Sequence, residues 1–244
     1  MSKTIVITGA GVGLGRALAR RFANEGDHVV LLGRTFSKIK DAADDIGDRA
    51  LAVKCDVGSP DSVREAFAEI AKTHKTIDVL INNAALFEPF KIADATDDQI
   101  LNAVITNLAG PMLCVREALP LMVKGSHIIN VTSESVDMHF PHLSVYQSTK
   151  AGVERFSKSM HQELEGDGIR VTNIRAGQMF EEGKTWDVDP EARKAFGMAA
   201  IAAGINLLER PISQFESATD VFRAVIDLPA DLHVAAMNLH ARSA

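Results

Sequence analysis

At 244 residues, 46% apolar and 24% charged, the chain suits one α/β domain with a sizeable core and an ordinary soluble balance. A net charge of −6 gives no electrostatic footprint for nucleic acid, and no apolar run reaches membrane-spanning length. Cys55 and Cys114 have neither metal nor redox spacing and no secretory leader precedes the first strand, so a cytoplasmic enzyme or binding protein is expected.

Residues Thr4–Thr8 read as a β-branched strand running into Gly9-Ala10-Gly11-Val12-Gly13-Leu14-Gly15, with Leu14, Leu18 and Phe22 at helical spacing beyond it. Strand, glycine turn and helix place a nucleotide pyrophosphate on a helix N-terminus, where free N–H groups and the dipole favour negative charge. The spacing is neither G-x-G-x-x-G nor a P-loop; it is T-G-x-x-x-G-x-G, on Thr8, Gly9, Gly13 and Gly15. A second strand, His28–Leu32, ends in Gly33-Arg34-Thr35. An acid there would grip a ribose 2′-hydroxyl, whereas Arg34 suits a 2′-phosphate; a solvated loop arginine is the alternative.

Ala50–Cys55 is a third strand closed by Asp56-Val57, and Pro60–Thr73 is a helix with proline at its start. Ile77–Ile81, a fourth strand, runs into Asn82-Asn83-Ala84-Ala85. A helix over Asp97–Leu108 carries Asn107 and extends past Pro111 to Met122. His127–Thr132 is a fifth strand, Ser144–Glu165 a long helix, Ile169–Ile174 a sixth strand, and Leu232–His240 is strand-like. Strands alternating with helices imply a parallel sheet covered on both faces, and no repeat or linker divides it, so a single domain over residues 1–244 is expected.

Ser133 ends the fifth strand, and Tyr146 and Lys150 lie i, i+4 on one helix face. A nearby ammonium favours a phenolate and lowers a phenol's pKa from its usual value near ~10, which suits Tyr146 to proton transfer. Such pairs also arise on solvated helix faces, and it is the glycine turn upstream that gives this one weight.

Thr8-Gly9-x-x-x-Gly13-x-Gly15, Asn82-Asn83-Ala84, Asn107, Ser133 and Tyr146-x-x-x-Lys150, in that order, resemble the short-chain dehydrogenase/reductase family, from Thr4 to about Gly177. The resemblance implies a Rossmann-type doubly wound three-layer α/β sandwich with a seven-stranded parallel sheet. It also implies a nicotinamide cofactor and hydride transfer to or from a carbonyl or alcohol. By it, Tyr146 is the acid/base, Ser133 orients the substrate oxygen, and Lys150 holds the nicotinamide ribose and depresses the Tyr146 pKa. Asn107 positions a water that links Lys150 to solvent. The cofactor contacts it implies are Gly9, Gly11, Val12, Gly13, Leu14 and Gly15 in the turn, then Arg34 and the adenine-flanking Asp56 and Val57. Asn83, Tyr146, Lys150, Gly177 and Met179 complete them. Arg34 points to NADP(H), with NAD(H) as the alternative, because Val12 stands where many NADP(H) members carry a basic residue.

Several residues depart from the family pattern. Ala85 and Ala176 replace a glycine and a proline, and Glu181 replaces a threonine that contacts the carboxamide; a glutamate accepts there but donates only when protonated. The C-terminus lacks the glycine-rich ending of acyl-carrier-protein reductases. The segment 178–214, with Phe180, Trp186, Phe196, Met198 and Ile201, reads as a substrate lid or else a structural insertion. Glu134 and Gln147 are candidate substrate contacts. His139 and His142 have no third ligand in view, so no metal is expected and pocket lining or solvent contact is the reading. Asn130-Val131-Thr132 matches a glycosylation acceptor inside a buried strand and is discounted. The resemblance also implies a small carbonyl or alcohol as substrate and further copies of the chain as partners, in a homotetramer or dimer with Ala109, Met112, Val115 and Leu119 as contact residues; neither nucleic acid nor membrane is expected. A non-catalytic nucleotide sensor on the same fold is the competing function.

Overall fold

Alternation along the strands sets the architecture of the computed structural model, which describes residues 2–180 and 188–242. In β1 (Thr4–Thr8), Ile5 and Ile7 face one apolar cluster and Val6 faces another, all without solvent contact. In β2 (His28–Gly33), Val29 and Leu31 likewise oppose Val30 and Leu32. Strands buried on both sides need a cover on each, which is the condition for a parallel sheet. β3 (Ala50–Lys54), β4 (Val79–Asn82), β5 (His127–Ser133) and β6 (Arg170–Ala176) continue it. β7 (Met179–Phe180) and β8 (Ser213–Gln214) form a separate parallel pair, and β9 (Ala236–Asn238) closes the sheet edge. The seven-stranded order is β3-β2-β1-β4-β5-β6-β9, all parallel.

The helices are α1 (Gly13–Asn24), α2 (Phe36–Ile46), α3 (Pro60–Thr73), α4 (Asp97–Val104), α5 (Gly110–Ala118), α6 (Ser144–Leu164), α7 (Pro190–Ala202) and α8 (Phe215–Ile226). Leu18 and Phe22 of α1, Ile39 of α2 and Phe222 of α8 cover one face of the sheet. Phe67 and Ile70 of α3, Cys114 and Val115 of α5, and Met160 and Leu164 of α6 cover the other. This is the doubly wound three-layer α/β sandwich. Strand order reverses at β1, which leaves a crevice beyond the carboxyl ends of β1 and β4.

The caps are local. The Ser59 side chain accepts the Ser62 N–H at 3.3 Å beside Pro60, and Thr96 and Gln99 form a reciprocal capping box on α4. Between α4 and α5 the chain passes through a π-helical turn, Ile105–Ala109, where the Gly110 N–H bonds the Ile105 carbonyl. Pro111 explains it: proline has no N–H to return to the Asn107 carbonyl four residues back, so the regular ladder cannot run through.

Several expectations are corrected. The single helix to Met122 is interrupted at this turn, and α2 and α8 were not anticipated at all. Ile77 precedes its strand, giving its N–H to the Leu121 carbonyl at 2.8 Å. The segment 178–214 is no irregular loop, since it contains β7, α7 and β8. Val115 is 2% exposed in the core, so it cannot meet another copy of the chain. Glu181 and Trp186 fall outside the described residues, as does the Phe180 side chain.

Candidate active site

The crevice begins with a threonine. Thr8 Oγ1 accepts the backbone N–H groups of Asn83 and Ala84, each at 3.0 Å, while Asn83 Nδ2 donates to the Thr8 carbonyl at 3.0 Å and the Gly9 carbonyl at 3.3 Å. This ties the end of β1 to the end of β4 and holds the glycine turn open. Gly9 has φ +67, and a Cβ on it would lie 2.9 Å from Ala84 Cα; a Cβ on Gly15 would lie 2.5 Å from the Gly9 carbonyl oxygen. Neither position tolerates a side chain.

A cleft of about 640 Å³ runs from this turn in both directions. Of the anticipated residues, Gly9, Gly11, Val12, Leu14, Arg34, Asp56, Val57, Asn83, Ser133, Tyr146, Lys150, Gly177 and Met179 line it. Gly13, Gly15 and Asn107 do not. Gly13 faces Phe215, Gly15 packs the turn, and Asn107 is fully buried behind the wall. The Asn107 side chain is spent on Leu86, accepting its N–H at 2.7 Å and donating to its carbonyl at 2.9 Å.

At one end of the cleft, Arg34 and Lys38 are exposed, with no ion-pair partner among the described residues. Lys38 was missed. It lies in the first turn of α2, four residues after Arg34 and just past the Thr35 N-cap, so recognising that helix would have found it.

At the other end, β5 delivers Ser133 and α6 delivers Tyr146 and Lys150. The Asn82 Nδ2 donates to Asn130 Oδ1 at 2.8 Å, and Asn130 Nδ2 donates to Ser157 Oγ at 2.9 Å, pinning β4, β5 and α6 together. That burial and bonding leave Asn130 nothing to offer a glycan. Thr132 Oγ1 also donates to Glu154 of α6 at 3.1 Å, and Arg175 Nη2 holds the same carboxylate at 2.6 Å. Lys150 Nζ donates to the Val131 carbonyl at 3.0 Å and lies 5.8 Å from the Tyr146 ring centre. Burial pushes Lys150 down to about 8. Burial also pushes the Tyr146 phenol up to about 12, while a hydrogen bond with Ser133 pulls the other way. The phenol therefore lies above its ordinary value rather than below it as expected from Lys150, because desolvation penalises the phenolate more than its neighbours support it.

Beyond Tyr146 the walls are aromatic. Phe87 meets the Tyr146 ring edge-on at 5.1 Å, Phe196 meets Phe87 at 6.2 Å, and Phe140 lies 6.2 Å from Phe196. Glu134 lines this end as anticipated, together with Arg210, which was not. Gln147 does not reach the cleft, since its Nε2 is spent on the Ser135 and Met138 carbonyls. His139 and His142 also stay outside the lining; the Phe140 between them goes in. Among the described residues no cluster of three or more His, Cys, Asp or Glu could hold a metal, and no helix is long and apolar enough to cross a membrane.

The short chain dehydrogenase family profile matches residues 3–184. Serine 3-dehydrogenase of Agrobacterium fabrum is 36% identical over 187 residues, 75% of this chain and 74% of that protein. Chlorophyll(ide) b reductase of Arabidopsis thaliana is 35% identical over 190 residues, 72% of this chain but 54% of that longer protein. Among solved structures, the closed form of serine dehydrogenase complexed with NADP+ matches with a TM-score of 0.82 at 26% identity, covering 97% of this chain and 94% of that one.

Proposed function

Because this chain belongs to the short chain dehydrogenase family, we propose that it is an NADP(H)-dependent oxidoreductase acting on a carbonyl or secondary alcohol, with Tyr146 as acid and base. The observation that carries the reading is convergence: Ser133, Tyr146 and Lys150 line one end of a cleft whose other end presents Arg34 and Lys38.

The residues fit a phosphorylated dinucleotide. Gly9 and Gly15 let the turn pack closely on itself and on β4, and Gly9, Gly11 and Val12 line the cleft beside the α1 N-terminus, where a pyrophosphate fits. Gly33 presents no carboxylate, and Arg34 and Lys38, without an ion-pair partner among the described residues, suit a 2′-phosphate. The NADP+ in the solved serine dehydrogenase supports the same choice. When bound, the cofactor supplies or takes up the hydride. The chain supplies the proton. With its phenol near 12, Tyr146 is protonated at neutral pH and stands ready to donate to a carbonyl oxygen undergoing reduction. Ser133 hydrogen-bonds the phenol and orients that oxygen. Lys150, close to the ring, stabilises the phenolate left after transfer.

Of the described residues of 178–214, Met179, Phe196, Leu207 and Arg210 line the cleft, which suits the segment to cover substrate as part of a single domain. Buried, unpaired Cys55 and Cys114 suit a cytoplasmic setting. The deciding experiment is a panel of ketones, aldehydes and alcohols with both cofactors, monitored at the nicotinamide absorbance. Turnover with NADP(H) of at least one compound is expected. Cofactor binding without any turnover across the panel would favour the nucleotide sensor instead.

A further inference from the structure

We propose that Arg210 anchors a carboxylate on the substrate, so that the reacting alcohol or carbonyl belongs to a short hydroxy acid or the matching oxo acid; this rests on the oxidoreductase reading above. The charges lining the cleft single out this residue. Among the described residues its cations are Arg34, Lys38, Lys150 and Arg210, and its anions are Asp56 and Glu134. Arg34, Lys38 and Asp56 sit toward the nucleotide end, and Lys150 is engaged with the Val131 carbonyl. Glu134 and Arg210 remain, set among Phe87, Phe140, Phe196 and Leu207.

The guanidinium is held in place. Arg210 Nη2 donates to Glu134 Oε1 at 2.6 Å, and its Cζ lies 5.4 Å from the centre of the Phe140 ring. The second Glu134 oxygen faces His240 Nδ1 at 3.4 Å. The Glu134 side chain is 9% exposed and that of Arg210 is 22% exposed. Desolvation largely cancels the attraction in such a pair, so stability alone does not account for setting it in an aromatic pocket. Arg210 keeps Nη1 and Nε without an acceptor among the described residues. Those donors have the planar fork that matches a carboxylate, and Glu134 fixes the plane. Ser133, Tyr146, Glu134 and Arg210 all line one cleft, so a small molecule held in it can offer its hydroxyl to Ser133 and Tyr146 and its carboxylate to Arg210. The carboxylate takes no part in the redox step; it fixes which oxygen meets Tyr146.

The test compares 3-hydroxybutanoate with 3-hydroxybutanamide, which differ in charge and little in shape. Steady-state NADP+ reduction gives kcat/KM for each, in wild type, Arg210→Lys and Arg210→Met, and calorimetry on the NADP+-loaded protein gives binding. Wild type is expected to prefer the acid by on the order of 10- to 100-fold, the worth of a charge-assisted pair. Arg210→Met brings the acid-to-amide ratio close to one, chiefly through KM, and Arg210→Lys keeps part of it. A wild-type ratio near one overturns the proposal. So does a ratio that survives Arg210→Met while both rates fall together, which is what a purely structural latch between Glu134 and the 178–214 segment would give. If no compound of any kind is turned over, the oxidoreductase reading fails, and the binding ratio still decides Arg210.

Discussion

Burial of Tyr146 gives one residue a sharp chemical signature. A phenol near 12 holds its proton at neutral pH, so removing only the hydroxyl removes the donor and leaves the cleft intact. Tyr146→Phe should therefore bind NADPH as wild type does while losing roughly 10²–10⁴-fold in kcat, the usual worth of general acid–base catalysis. Turnover within about twofold of wild type would end the mechanism. At the nucleotide end, Arg34→Ala should weaken NADPH on the order of 10- to 100-fold and leave NADH nearly unmoved, because only the former carries the 2′-phosphate. Lys38→Ala should act in the same direction but more weakly, since an ammonium cannot pair in bidentate fashion. Dissociation constants from quenching of protein fluorescence read both, and equal losses for the two cofactors would refute the assignment. Ser133, Tyr146 and Lys150 were legible in the sequence because their spacing is local to one strand end and one helix turn. Arg210 was not: its partner Glu134 lies 76 residues away, and only the folded chain brings them together.

Among the elements, legibility followed how local the signal is. Pro60 with its cap at Ser59, and the unbroken apolar run of β1, announce α3 and β1 at their observed limits. The short α2 buries only Ile39, Ala42 and Ala43, too narrow a stripe to stand out, and α8 has no side-chain cap to mark its start. The interrupted helix was hidden because Pro111 was read as continuing the ladder it breaks. The β5–β6 pairing makes a pH prediction. His127 is buried in that pairing with Nε2 against Thr172 Oγ1 at 2.8 Å, and burial, with Arg170 and His233 nearby, lowers it from 6.5 to about 3. Between those values the unfolded chain binds the extra proton, so stability falls as pH drops from 6.5 toward 3. Each unit is worth ~1.4 kcal/mol, which makes the loss from pH 7 to pH 5 about 2 kcal/mol. Urea midpoints at the two pH values should show it, and His127→Gln should flatten the difference even if it is less stable throughout. An undiminished pH difference in the variant would mean that other groups carry it.

One exposed apolar helix face is where a second copy of the molecule is expected to dock. Leu101, Val104 and Ile105 recur at i, i+3 and i+4 on α4 and its π-helical turn, and Met112 follows on α5; all four are exposed. Of the contact residues the family resemblance implied, Met112 belongs to this stripe, whereas Val115 points the other way, into the core. A contiguous apolar patch on a soluble surface marks an interface, and a helix face that meets its own copy about a two-fold axis is self-complementary by construction. Light scattering at micromolar concentration should therefore give a multiple of 26.3 kDa, two or four chains. Leu101→Glu with Ile105→Glu places like charges across that axis and should shift the mass to a single chain. Both residues are solvent-exposed in the single chain, so circular dichroism should be retained in the variant. The π-helical turn that holds Ile105 also carries Asn107 behind the active-site wall, so the monomeric variant should also show altered turnover. A wild-type monomer under these conditions, or a double variant that keeps its mass, would place the interface elsewhere.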